Sequence, residues 1–351
     1  MSSLRPLSEG DSLMTKEILC TLGPSSMNDR VIPRLEALGV SLFRINLSHT
    51  KLENVEECIR FIQARSKVPI CLDTEGAQIR NQNVKTGAVE LVEGDSIRIH
   101  CDEVEGDSHH ISFTPAFVAS SLSQGDILAI DFNSARIQVS TKDDSGCNAI
   151  VISGGRIGSN KAVELNRDID LPPLTDKDRR AIAIGKKNGI RHYALSFANS
   201  QNDVRLLREF CGADATIISK IESIKGLKNL QAILDSSDAI LIDRGDLSRQ
   251  VAFEKIPFAQ RRIISIAKSK RKLAYVATNL LESMVTQSTP TRAELNDIVS
   301  TLLMGADGLV LAAETAIGKY PIECIEMVKK IINEFNRWTP HTTLDELLED
   351  N

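Results

Sequence analysis

The segment ATIISKIESIKGLKNLQAILDSSDAILIDRGD, residues 215–246, decides the fold. It opens on a short run rich in β-branched residues (Ala215 to Glu222), passes into an amphipathic stretch of helical length (Ser223 to Leu234), and returns to a second short apolar run (Ala239 to Asp246). Two runs of strand length separated by one helix predict a β/α unit whose strands lie parallel. Both runs end in charged side chains. Lys220 and Glu222 close the first, and Asp243, Arg244 and Asp246 close the second.

The same alternation repeats in both directions. Further strands are predicted at Glu17 to Gly23, Ser41 to Ser48, Val68 to Thr74, His192 to Phe197, Leu273 to Thr278 and Gly308 to Thr315. Helical stretches are predicted at Asn28 to Leu38, Lys51 to Arg65, Asp176 to Asn188, Gln201 to Cys211, Ala259 to Arg271, Ala293 to Met304 and Ile322 to Asn336. Eight such units predict an α/β fold closed as a (β/α)8 TIM barrel, in preference to an open doubly wound sheet. One unit is interrupted by residues 81–166, where short strands (Val89 to Val92, Ser96 to His100, Ile127 to Ile130, Arg136 to Ser140, Ala149 to Ile152) alternate with turns rich in Gly, Asp and Ser. That spacing predicts a small inserted β-barrel. The expected domains are a discontinuous barrel, 1–80 and 167–351, and an insert, 81–166. An insert at the C-terminal ends of the strands is expected to act as a lid that excludes water from the active-site mouth.

Composition narrows the function. Basic and acidic side chains number 42 and 47, a net charge of −5, which argues against a nucleic-acid or membrane-surface partner. No run of about 18 apolar residues is present, and the polar start carries no secretory signal, so the expected location is the cytoplasm. The seven cysteines are scattered without a CxxC pair, as for reduced and mostly buried thiols. The six histidines are dispersed and no Cys cluster exists, which argues against zinc.

The polar residues at the strand ends point to anion chemistry with a hard metal. Glu222 and Asp246, on neighbouring strands, offer oxygen ligands suited to Mg²⁺ or Mn²⁺. Lys220 alternates with Glu222, so both side chains point to the same side of their strand. A lysine beside a metal can stabilise an enolate or a transferring phosphoryl group. Arg44 has the fork geometry for a phosphate, and the Gly245 turn could bring backbone N–H groups against a substrate carboxylate.

The order of these motifs resembles the pyruvate kinase family, from Thr15 to about Pro321. The resemblance is carried by TKEILCTLGPS (15–25), RINLSH (44–49), LDTEGAQIR (72–80), ISKIE (218–222), RGDL (244–247), ATNLLESM (277–284) and PTRAE (290–294). It implies a barrel of the phosphoenolpyruvate/pyruvate type and phosphoryl transfer from phosphoenolpyruvate to ADP, giving pyruvate and ATP. It further implies that Lys220 assists transfer and stabilises the enolate, that Glu222 and Asp246 hold the divalent metal, and that Arg44 contacts the transferred phosphate. By the same resemblance Thr278 lies near the carbon that is protonated, and Gly245 and Asp246 help bind substrate. Asn46, Ser48, Asp73 and Thr74 match the family's monovalent-cation ligands, normally K⁺. His49, Arg80 and Lys161 fall at nucleotide-side positions.

The chain also departs from that pattern. Glu75 stands where the family usually has Lys, and Ala77 and Gln78 replace a Pro and a charged residue, which leaves K⁺ dependence open. Phe132 replaces an acid, Asn160 a Lys, Ala312 a member of a Ser-Gly pair, and Asp243 an Ala. The family generally continues into a C-terminal α/β regulatory domain, which is expected to be missing here. A homo-oligomer, as a dimer, is expected to cover apolar barrel surface with the helix Glu323 to Asn336 and the tail Thr339 to Asn351. Three functions fit these residues: a pyruvate kinase-like phosphotransferase (including a paralogue with another phosphoryl acceptor), a metal-dependent lyase or aldolase passing through an enolate, and a non-catalytic sensor of phosphoenolpyruvate or nucleotide. The complete set of Lys220, Glu222, Asp246, Arg44 and Thr278 argues against the sensor, and a nucleotide-covering lid has less purpose in a lyase.

Overall fold

Strand residues here alternate between two apolar environments, and that alternation builds the barrel. The computed structural model describes residues 16–131 and 134–348; Thr15 of the opening motif, and Phe132 and Asn133, lie outside the described residues. Eight strands, β1 (Glu17–Thr21), β2 (Leu42–Asn46), β3 (Ile70–Asp73), β4 (His192–Leu195), β5 (Thr216–Ile221), β6 (Ala239–Asp243), β7 (Leu273–Ala277) and β8 (Gly308–Leu311), pair in parallel and in sequence order. β8 returns to β1 to close the ring. Ile18, Phe43, Leu72, Tyr193, Ile217 and Ile240 point outward into one large core shared with the helices. Leu19, Leu42, Cys71, Ala194, Ile218 and Leu241, one position away, fill the barrel's interior. This is the period of two expected of strands buried on both faces.

The predicted strands are all present but overrun the observed ones, mostly at their C-terminal ends. Among the overrun residues, Thr74, Glu222 and Glu314 accept backbone N–H groups of neighbouring segments instead of continuing the ladder. The surrounding helices start where side chains satisfy the free N–H groups of the first turn. Thr175 with Asp178, Ser200 with Asp203 and Thr291 with Glu294 each form a reciprocal capping box. One helix differs from expectation. Ser223 to Leu234 is not a single helix but two, Ile224–Lys228 and Leu230–Ser236, because Asn229 leaves helical geometry and donates its side-chain N–H to Asn199 O at 2.7 Å.

The chain divides into two compact units, one comprising the chain to Gly76 and from Pro173 onward, the other Ala77–Pro172. The second is a closed seven-stranded barrel with its own core, including Ile97, Ile99, Phe113, Leu128, Ile137 and Val151. A separate two-stranded sheet pairs Ala88–Leu91 with Gly155–Gly158. Strands Ile79–Asn81, His110–Thr114, Gly155–Gly158 and Ala162–Leu165 lie outside the expected set. Each takes its place by pairing with a strand elsewhere in the chain, which local periodicity does not record. Among the described residues no helix is long and apolar enough to cross a membrane.

Candidate active site

The period of two that fills the barrel also aims its polar residues. Arg44 follows Leu42 by two positions, Asp73 follows Cys71, Ser196 follows Ala194, Lys220 follows Ile218 and Asp243 follows Leu241. Each therefore shares the inward direction of an interior residue, but at the end of its strand. The result is one charged cluster at the C-terminal end of the barrel unit.

Lys220 is its hub and is 5% exposed. Its Nζ lies 2.9 Å from Glu222 Oε1, 3.5 Å from Asp73 Oδ2 and 3.7 Å from Asp243 Oδ2, and donates to Ser196 Oγ at 3.1 Å. Burial disfavours the ammonium, but Asp73, Glu222 and Asp243 outweigh it and raise the lysine above its ordinary value. Lys220 therefore stays protonated throughout the neutral range. Arg44 is equally buried; its Nη1 approaches Asp73 Oδ2 at 3.4 Å, while its Nε is buried without a hydrogen-bond acceptor. A guanidinium N–H left bare inside a protein is costly, and an anion seated against it would satisfy it.

Glu222, Asp243 and Asp246 each place a carboxylate oxygen within 4.8 Å of the others. Glu222 Oε2 accepts the Phe197 N–H at 2.6 Å, and Oε1 is buried and accepts no well-aligned hydrogen bond. Burial, partly offset by Lys220, together with Asp246 and Asp243, pushes the Glu222 carboxyl up to about 8. This cluster is short of positive charge, and its all-oxygen donors suit a hard divalent cation. Asp246 is held by Arg249 at 2.8 Å. Asp243 is half-buried, and Lys220, the Thr278 hydroxyl and Arg44 keep it below the ordinary carboxylate range against the cost of desolvation.

Thr278 sits just past β7 with φ at +78°, an unusual conformation for a β-branched residue. Arg244 holds its carbonyl through two N–H groups, and its hydroxyl donates to Asp243 Oδ1 at 2.6 Å. Gly245 adjoins this pair, and a Cβ there would come 2.9 Å from Thr278 Cγ2.

The remaining predicted residues divide between the two units. Asp73 and Thr74 are buried at the end of β3, bonded to the Ser196 hydroxyl and N–H respectively. Asn46 and Ser48 are half-buried after β2, with Asn46 Oδ1 accepting the Ser48 N–H at 3.0 Å. These four offer only oxygen donors, and Asp73 supplies their one full negative charge, shared with Arg44 and Lys220. His49 is exposed on the same turn. Arg80 and Lys161 belong to the other unit, where Arg80 donates to Asn160 O at 2.7 Å and Lys161 faces Asp131 at 3.4 Å.

Two contributors come from a strand end that was not expected to supply site residues. β4 ends in Ser196 and Phe197, whose hydroxyl and N–H hold Lys220, Asp73 and Glu222. Neither is charged, so only their inward position marks them. Glu75 likewise does not simply face water. It is partly buried and paired with Lys177 at 2.8 Å, while Thr175 Oγ1 donates to it at 3.3 Å. Lys177, from the helix Asp176–Lys187, thus supplies a positive charge opposite the reversed one.

Comparison with known proteins agrees with this arrangement. The family model described as pyruvate kinase, barrel domain, matches residues 13–325. The chain is similar to the pyruvate kinase of Thermotoga maritima, 33% identical over 331 residues, covering 92% of this chain and 71% of that one. It is also similar to those of Mycobacterium tuberculosis (31% over 325 residues; 90% and 69% covered) and Corynebacterium glutamicum (33% over 325 residues; 90% and 68% covered). Likeness of that extent, in a chain whose barrel gathers Lys220, Arg44, Glu222 and Asp246 at one end, shows that this protein belongs to the pyruvate kinase family.

Proposed function

We propose that the protein transfers the phosphoryl group of phosphoenolpyruvate to ADP, giving pyruvate and ATP, as a cytoplasmic enzyme. The observation that carries this is the buried Lys220 ammonium set among Asp73, Glu222 and Asp243, beside an Arg44 whose Nε lacks an acceptor. The phosphoryl group is an anion that Arg44 would satisfy, and its transfer leaves an enolate whose oxygen needs a fixed positive charge. Lys220 provides that charge without reorganisation, because Ser196 and Asp73 already hold it in place.

Glu222 and Asp246 would hold the divalent metal, Mg²⁺ or Mn²⁺, which when bound neutralises charge on the substrate's oxygens. Gly245 would leave backbone room for the substrate carboxylate next to Asp246. Thr278 would stand beside the carbon that gains a proton as the enolate becomes pyruvate. Asn46, Ser48, Asp73 and Thr74 would take K⁺. On the family's pattern His49 would face the nucleotide, and the same pattern gives that role separately to Arg80 and Lys161 of the inserted unit.

A coupled assay with phosphoenolpyruvate, ADP and Mg²⁺, with and without K⁺, tests this. Pyruvate formation is expected; its absence under every condition overturns the proposal. Lys220→Met should lower kcat by about a thousandfold or more, since both charge stabilisation and positioning are lost. Unchanged turnover in that variant would mean that the assigned chemistry is wrong.

A further inference from the structure

Asp243 is engaged in a way that the proposed chemistry does not yet use. As the last residue of β6 it also precedes the short helical turn Arg244–Leu247, and a cap for that turn is the plain structural role for such an aspartate. The distances favour something else. The capping contact from Asp246 N to Oδ1 is 3.5 Å, whereas the Thr278 hydroxyl donates to the same oxygen at 2.6 Å. The second oxygen turns to Lys220 Nζ at 3.7 Å. Strand register sets up the first contact, because Asp243 lies opposite Ala277, the neighbour of Thr278. Gly245 leaves the room for it, since a Cβ at that position would come 2.9 Å from Thr278 Cγ2.

We infer that Asp243 is a positioning residue that orients the Thr278 hydroxyl and the Lys220 ammonium together. A hydroxyl has one proton to donate. Thr278 gives its proton to Asp243 in a short, charge-assisted bond, so its oxygen is left to the pocket as an acceptor. Thr278 then aligns a proton-bearing group near the substrate carbon and does not deliver its own proton. The inference rests on the proposed phosphotransferase chemistry for its catalytic consequence, and on the geometry alone for its structural one.

A double-mutant cycle tests it, using Asp243→Ala, Thr278→Val and the pair. Two rates are read: kcat in the coupled assay, and loss of the pyruvate methyl signal by proton NMR in D₂O with Mg²⁺. In the second, a C–H bond breaks, its proton passes to solvent, and a deuteron from D₂O takes its place. Each single variant should lose roughly tenfold or more in both rates with KM changed less than about threefold, and the pair should be no slower than the worse single variant. Asp243→Asn, which keeps an acceptor for Thr278, should recover part of kcat. Additive losses, as expected were Asp243 merely a third carboxylate at the metal cluster, overturn the inference. A crystal structure of Asp243→Ala gives a readout that needs no activity. Rotation of the Thr278 side chain with displacement of Lys220 Nζ supports the inference, and both groups unmoved overturn it. If the wild-type protein neither forms pyruvate nor exchanges its methyl protons, the proposed function falls, and that crystal structure decides the positioning role by itself.

Discussion

At the scale of single residues, opposite charges are set against one another at buried and half-buried positions. Glu75 and Lys177 show how a reversed charge is accommodated. Glu75→Lys would place two ammonium groups where an ion pair now stands, lowering Tm by roughly 2–4 °C. Lys177→Glu added to it should restore most of that loss, as read by thermal melting of the single and double variants. Glu222 makes a pH-dependent contribution. Burial, with Asp246 and Asp243 beside it, holds its carboxyl above the ordinary value in the folded protein, so between the unfolded and folded values the folded state keeps a proton that the unfolded state has released. Stability should therefore fall as pH rises from about 5 to 8, and saturating Mg²⁺ should oppose the fall. Glu222→Gln should flatten this dependence in thermal melts with chelator. Equal slopes in the two proteins would count against the raised titration.

Among secondary-structure elements, the decisive feature is how closely β3 and β4 approach beyond their ends. Gly76 has φ at +74°, and a Cβ there would lie 2.4 Å from Ser196 O. Only glycine fits, both for the left-handed backbone and for lack of space. Asp178, fully buried, then accepts the N–H groups of Glu75, Gly76 and Thr175, locking this turn to the start of the helix Asp176–Lys187. Gly76→Ala should cost about 1–3 kcal/mol in urea unfolding. It should also lower kcat, because the Ser196 that it displaces holds Lys220. A variant of full stability and full activity would show that the contact has no such role.

The molecule as a whole consists of two units, each with a separate apolar core and a separately closed sheet. The inserted barrel is closed and has its own core, so the segment 77–172 is expected to fold by itself. Expressed alone, it should give a dispersed NMR spectrum and a single cooperative thermal transition. A collapsed spectrum without a transition would show that it depends on the rest of the chain. Of the residues proposed for phosphoryl transfer, Arg44, Lys220, Glu222 and Asp246 all lie in the other unit.

The barrel was legible in the sequence because helical and strand periods alternate eight times, and periodicity is a local property. Lys220, Glu222, Asp246 and Arg44 were legible because charged side chains at the ends of apolar strands are chemically conspicuous. Ser196 and Phe197 were not, since a hydroxyl and a backbone N–H look alike wherever they occur in a chain; the inward aim of β4 makes them matter. Residues 223–234 read as one helix because apolar spacing continues across Asn229, whose bond to Asn199 forms only in the folded chain. Asp243 and Glu75 stood out in the sequence as changed charges, but their meaning depended on partners far away in the chain. Residues 35 and 102 positions distant bring Thr278 to Asp243 and Lys177 to Glu75. Local sequence determines which way a side chain faces along its strand, whereas only closure of the barrel determines which other side chain it meets.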